Sequence, residues 1–151
     1  MGQSLSKVYL HTIFHIKAQG ISILPETREA LYAYIGGITR TMESACIMAG
    51  GTTDHVHLLC TLPRTISIAK LVEEIKRASS KWLKTQDCHY AKFEWQAGYG
   101  AFSVSQSQVE KVKTYINNQM EHHAHKSAAD EYMDLLAAYE TEYDPRYFLR
   151  D

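Results

Sequence analysis

Residues 45–62 read ACIMAGGTTDHVHLLCTL. Two short runs, Ala45–Ala49 and Val56–Leu62, flank Gly50-Gly51 and a polar turn, which predicts two antiparallel strands joined directly. What lies on either side of this pair decides the fold. Upstream, Lys7–Lys17 (KVYLHTIFHIK) is rich in β-branched and aromatic residues and reads as a strand, followed by a loop at Ile21–Pro25. From Glu26, the apolar residues Ala30, Leu31, Tyr34, Ile35, Ile38 and Met42 recur at helical spacing. Gly36-Gly37 inside that helix costs about 1 kcal/mol per glycine against alanine and points to close packing. Downstream, Ser67 is a good N-cap for a helix with Ile68, Leu71, Val72, Ile75, Ser79 and Trp82 on one side. Lys92–Val104 then reads as a long strand kinked near Gly98 and Gly100. Ser105–Ala124 is a third helix with Val109, Val112, Ile116 and Met120 as its stripe. Ala128–Tyr143 is a fourth, ended by Pro145. The order β-α-β-β-α-β-α-α predicts an α+β fold, a ferredoxin-like split β-α-β sandwich with an antiparallel sheet, both crossover helices on one face, and two further helices at the C-terminal end.

Composition limits the function classes. A chain of 151 residues predicts one domain. No apolar run approaches the roughly 18 residues a membrane span needs, and the polar start Met1–Ser6 shows no signal peptide. Three cysteines (Cys46, Cys60, Cys88) with no Cys-x-x-Cys spacing argue against a disulfide framework or a cysteine zinc site, so a cytoplasmic location is expected. The formal net charge is −1, which taken alone points away from nucleic acid. The charge is uneven, however. Residues 1–126 carry 14 Lys/Arg and 10 Asp/Glu, a balance of +4; residues 127–151 carry 2 and 7, a balance of −5. A mildly basic body is masked by an acidic end, either a solvated helix face or a tail that limits loose polyanion binding.

Asp54-His55-Val56-His57-Leu58-Leu59 opens the third strand. Residues two apart on a strand share a face, so His55 and His57 project together, away from Val56 and Leu58. Two imidazoles side by side are half of a divalent-metal site, or a pair of surface histidines on a half-exposed strand. Asp54 is placed to bind metal, to orient a histidine from behind, or to cap the turn. On the third helix, Tyr115 and Gln119 are four apart and lie together beside the apolar stripe. Tyr115 reads either as a half-buried packing residue or as a nucleophile one turn from an amide oxygen able to bind a hard cation. Free tyrosine, with a pKa of about 10, attacks poorly at neutral pH, so a metal that polarises the electrophile is its necessary partner.

Together these segments resemble the single-tyrosine HUH transposases (His-hydrophobic-His) of the insertion sequence 200/605 group. Asp54–Leu59 matches the HUH strand, Phe93–Ser105 the long-strand signature, and Tyr115–Gln119 with Glu121-His122-His123 the catalytic-helix signature. The segment Glu131-Tyr132 … Leu135-Leu136 … Glu142–Tyr147 matches the C-terminal part. His-x-His alone is weak; four segments in this order are specific.

The resemblance implies a DNA transposase that cleaves and rejoins single-stranded DNA at hairpin-marked ends through a 5′-phosphotyrosine intermediate. It implies Tyr115 as the nucleophile and His55, His57 and Gln119 as ligands of Mg²⁺ or Mn²⁺. It further implies a homodimer whose active sites are shared between subunits. Residues 1–126 then form the catalytic domain, and 127–151 an acidic helix and tail of the same domain. His122, His123 and His125 read as solvated residues at the end of the catalytic helix, with extension of the metal site as the alternative.

For DNA contacts, Lys70, Arg77, Lys81 and Lys84 recur on one face of the second helix, either as a phosphate-binding row or as a solvated face. Lys17, with Lys7 and Arg64, is a weaker candidate near strand ends, and Tyr99 and Phe102 are candidates for base stacking or for the core. A host-adapted hairpin-processing nuclease would carry the same motifs. A non-catalytic single-stranded DNA-binding module is the rival from another class, and Tyr115 with Gln119 counts against it. For a small-molecule metalloenzyme, no convergent acid/base set accompanies the histidines.

Overall fold

The computed structural model describes residues 2–146, 148 and 149. In chain order the elements are β1 (Tyr9–His15), α1 (Pro25–Thr41), β2 (Cys46–Gly51), β3 (His55–Thr61), α2 (Ile68–Gln86), β4 (Gly100–Val104), α3 (Val109–Asn117), α4 (Gln119–His122) and α5 (Ala128–Ala138). Short 3-10 turns lie at Cys88–Tyr90 and Gln106–Gln108. The four strands form one sheet in the order β2-β3-β1-β4, with antiparallel neighbours throughout. The split α+β architecture expected from the strand and helix order is the one observed.

Alternation along β1 and β3 gives the sheet two unlike faces. Leu10, Phe14, Val56, Leu58 and Cys60 point to one side, where Leu31 and Ile35 of α1 and Leu71, Ile75 and Leu83 of α2 close the main core. Burying each large aliphatic side chain there contributes about 1.5–3 kcal/mol. The other side carries His11, Ile13 and His15 from β1 and His55, His57 and Leu59 from β3. In register, His15 lies opposite His55, Ile13 opposite His57 and His11 opposite Leu59. This face is covered too. Val109 and Ile116 of α3 pack with Leu59 and Val104, and Leu136 of α5 packs with Ile13 and Phe102. Two glycines permit that close cover. A Cβ on Gly50 would meet the Ile116 carbonyl oxygen at 2.7 Å, and one on Gly100 would meet the Tyr132 hydroxyl at 2.9 Å.

Several boundaries differ from the sequence reading. Gly50 and Gly51 belong to β2 rather than to the turn, and β2 is irregular between Cys46 and Met48. The strand expected over Lys92–Val104 is regular only from Gly100. Before it, the chain touches β1 through one bridge, Ile16 to Trp95, and Lys76 donates to the carbonyls of Gln96 (2.7 Å) and Gly98 (2.6 Å). A lysine takes acceptors that a neighbouring strand would otherwise use. The third helix is interrupted at Asn118 (φ −99°, ψ 19°), and Met120, beyond the break, leaves the stripe and is exposed. The fourth helix ends at Ala138, because Glu140 adopts φ 50° and Glu140 and Thr141 donate to the carbonyls of Ala137 and Leu136 in a Schellman-type cap. No helix among the described residues is long and apolar enough to cross a membrane.

Candidate active site

β3 carries His55 and His57 into an interior covered on both faces, and both side chains are fully buried. The half-exposed strand weighed above is therefore ruled out, and each imidazole needs hydrogen-bond partners. The Nδ1–H of His55 donates to Asp54 Oδ1 at 2.7 Å, and the Thr52 hydroxyl donates to the same oxygen at 3.0 Å. The Nε2–H of His55 donates to Gln119 Oε1 at 3.1 Å. Burial opposes a charge on this ring, but the bonds to Asp54 and Glu131 outweigh it and lift the pKa to about 9. Asp54 is held down to about 2, chiefly by its bond to His55. His57 differs. Burial lowers its pKa to about 4 in spite of a neighbouring carboxylate, so it is neutral. Its Nε2–H donates to Glu131 Oε1 at 2.9 Å, and its Nδ1 lies 2.7 Å from His11 Nε2.

The centre of the cluster is Glu131, from the first turn of α5 and 3% exposed. Its Oε1 accepts from His57 and from His123 Nε2 (3.0 Å) and lies 3.5 Å from His55 Nε2. Its Oε2 accepts from the Tyr115 hydroxyl and from Gln119 Nε2 (3.0 Å), with His122 Nε2 at 3.3 Å. Burial works against the carboxylate charge, yet the bonds from His55 and His57 hold its pKa well below the ordinary range. Burial, and next the bond to Glu131, pushes the Tyr115 phenol above its ordinary value, so it carries its proton at neutral pH. One ring nitrogen from each of three histidines and one carboxylate oxygen lie within 4.8 Å of one another, a donor set of His55, His57, His123 and Glu131 that suits a divalent cation.

The sequence-predicted site residues fall into two groups. His55, His57, Tyr115, Gln119 and Asp54 come together, although the helix breaks between Tyr115 and Gln119. They do so within one chain, so the nucleophile candidate stands beside its own histidines. The cationic row does not join them. α2 packs on the apolar face of the sheet, where Lys70 and Arg77 share Glu74 (3.2 and 2.7 Å) and Lys84 donates to the Phe93 carbonyl (2.9 Å). Lys81 on that row is exposed, and Lys17 pairs with Glu94 at 3.0 Å. Phe102 is a core residue stacked on Tyr139 at 4.7 Å, while Tyr99 is exposed. His123, read as solvated from the sequence, instead faces Glu131. Its ring centroid lies 4.5 Å from that of His55. A cleft of about 470 Å³ opens beside Tyr115, lined by Asn118, Glu121, His122, His125 and Lys126.

Sequence reasoning placed Glu131 among seven acidic residues and at the head of the C-terminal segment without giving it a role, and it passed over His11 and His15. A carboxylate at position 131, in line with Ala128 and Leu135 on the inner face of α5, was an available signal. So were two histidines four apart on a strand. His15 is stacked between His55 and Tyr132 at 5.3 Å from each, and neither of its ring nitrogens has a hydrogen-bond partner among the described residues.

With this geometry in place, a family model described as transposase IS200 like matches residues 4–119. The chain belongs to the IS200-like transposase family. Among solved structures, this transposase resembles a Deinococcus radiodurans protein described as a transposase, with TM-score 0.60 and 22% identity over 79% of this chain and 96% of that one. It also resembles a REP-associated tyrosine transposase bound to a REP hairpin, with TM-score 0.56 and 15% identity over 82% of this chain and 74% of that one. At such identities the likeness is one of fold. No curated protein matches the chain. The family match ends at Gln119, so Glu131, His122 and His123 lie beyond it.

Proposed function

We propose that this transposase cleaves and rejoins single-stranded DNA at hairpin-marked ends, through a covalent bond between Tyr115 and a 5′-phosphate. The observation that carries the reading is one carboxylate, Glu131, that receives the Tyr115 hydroxyl on one oxygen and His57 on the other, in a chain of this family. His55 and His57 would hold Mg²⁺ or Mn²⁺ together with Glu131 Oε1 and Gln119 Oε1, nitrogen and oxygen donors that suit these ions. Bound there, the ion supplies charge that polarises the scissile phosphate and stabilises the leaving oxygen. The rest is done by the chain. Tyr115 sits at the mouth of the cleft, where a strand can approach. Its phenol oxygen attacks phosphorus as its proton passes to Glu131 Oε2. The bond to the 3′-oxygen breaks, and that oxygen leaves as a hydroxyl with a proton taken from water, while Glu131 returns the phenol proton to solvent. The phosphodiester bond energy stays in the phosphotyrosine, so a second 3′-hydroxyl can reverse the step without ATP.

Asp54 orients His55 from behind, and Thr52 orients Asp54. The hairpin substrate is inferred from the solved relative bound to one. Lys17, Lys70, Arg77, Lys81 and Lys84 would meet a hairpin stem only on a surface other than the cleft. His122, His125 and Lys126, the last paired with Asp134, line the cleft beside Tyr115. A homodimer in a cytoplasmic setting completes the proposal, although one chain already assembles the whole constellation. The test is a denaturing gel of protein with a hairpin-bearing single-stranded oligonucleotide in Mn²⁺. Wild type should form a covalent adduct, and Tyr115→Phe should form none while binding the hairpin within a few fold. Cleavage that survives Tyr115→Phe would remove the nucleophile.

A further inference from the structure

His11 has no part in the chemistry set out above, yet it touches two residues that do. It is buried on β1, in the row of inward-facing residues beside β3. Its Nε2 lies 2.7 Å from His57 Nδ1, with the two rings 4.9 Å apart and tilted by 31°. Its ring also meets the ring of Tyr115 edge-on at 6.2 Å. We propose that His11 is a positioning residue that sets which nitrogen of His57 carries the proton, and so makes His57 Nε2 available to a divalent cation. The proposal rests on the reading of His57 as a metal ligand.

Two imidazole nitrogens at 2.7 Å hold one proton between them. Two protons would clash, and two lone pairs would repel. In the chain as it stands, His57 Nε2–H donates to Glu131 Oε1, so its Nδ1 accepts and His11 Nε2–H is the donor. For His57 Nε2 to act as a ligand, its proton has to sit on Nδ1, and His11 Nε2 has to accept it with its own proton on Nδ1. A side chain that is donor in one state and acceptor in the other can stabilise both. The carboxylate of Asp54 behind His55 can only accept. The two histidines of the pair are therefore supported differently. His55 is fixed by a charge, and His57 by a ring that can exchange roles.

Phenylalanine at position 11 fills the same space with no nitrogen, whereas glutamine carries an amide able to donate or accept. Mn²⁺ binding is measured by calorimetry on the full chain, with folding checked by circular dichroism in EDTA. His11→Phe should weaken Mn²⁺ binding about 10- to 100-fold, and His11→Gln should recover most of the loss. Equal weakening in the two variants would reduce His11 to packing and overturn the proposal, as would unchanged binding in His11→Phe. A second measurement needs no variant. Long-range ¹H–¹⁵N spectra of the wild-type imidazoles should show His57 protonated on Nε2 in EDTA and on Nδ1 in Mg²⁺, with His11 changing in step. Protonation of His57 on Nε2 under both conditions overturns the proposal. If wild type binds no Mn²⁺, or His57→Ala binds it equally well, the metal-site reading itself fails, and this inference fails with it.

Discussion

The two faces of β3 differ in what holds them. On one, Val56, Leu58 and Cys60 meet the apolar sides of α1 and α2, and contact alone stabilises them. On the other, His55 and His57 are as deeply buried as Val56, and their burial is offset only because Asp54, Gln119, Glu131 and His11 supply partners from four other places in the chain. Apolar burial tolerates imprecision, whereas a buried imidazole or carboxylate is costly once a partner is lost. On the proposed function one strand therefore serves both stability and chemistry, and adjacent residues on it should fail in different ways.

The largest separation is expected from neighbouring substitutions. His57→Ala should lower metal-dependent cleavage about 100-fold or more, with a smaller fall in thermal midpoint than Leu58→Ala produces. Leu58→Ala should cost about 2–5 kcal/mol, or roughly 5–15 °C for a chain of this size, while binding Mn²⁺ with nearly wild-type affinity below its melting temperature. Cleavage assays and thermal melts on the same two proteins decide the matter. If both variants lose stability and metal affinity together, the faces are not separable.

The smallest effect is one of pH on the metal-free chain, and its sign comes from the histidine face alone. The His55 pKa is raised from 6.5 to about 9, so its contribution is full below pH 6.5 and is lost as pH rises toward 9. His57, His11 and His15 are lowered to about 4, 3 and 3, so the unfolded chain binds their protons first and stability falls as pH drops below 6.5. Melts in EDTA should peak near pH 6.5 and decline on both sides by several degrees. A midpoint still rising between pH 7 and 9 would contradict a charged His55.

The alternation in Lys7–Lys17 and Val56–Leu62 was readable because period two is a local property, and so was the helical stripe of α2. The irregular stretch before Gly100 was not, because its carbonyls turn to Lys76, some twenty residues away. His55 and His57 could be placed on one face by counting, and Tyr115 with Gln119 by helical spacing. Helical spacing sets Glu131 apart from Asp130 and Asp134, which remain exposed, but does not say what its face meets. Its role depends on where α5 docks, and Tyr132 against Gly100 and Leu136 against Ile13 set that position.

By itself the sequence determined the element order, the faces of the strands and the family, since these follow from spacing and motif. Only the tertiary structure decided which partners the histidines have. Buried polar groups are satisfied by residues from anywhere in the chain, and Gly50 lets α3 approach the sheet that carries the histidines.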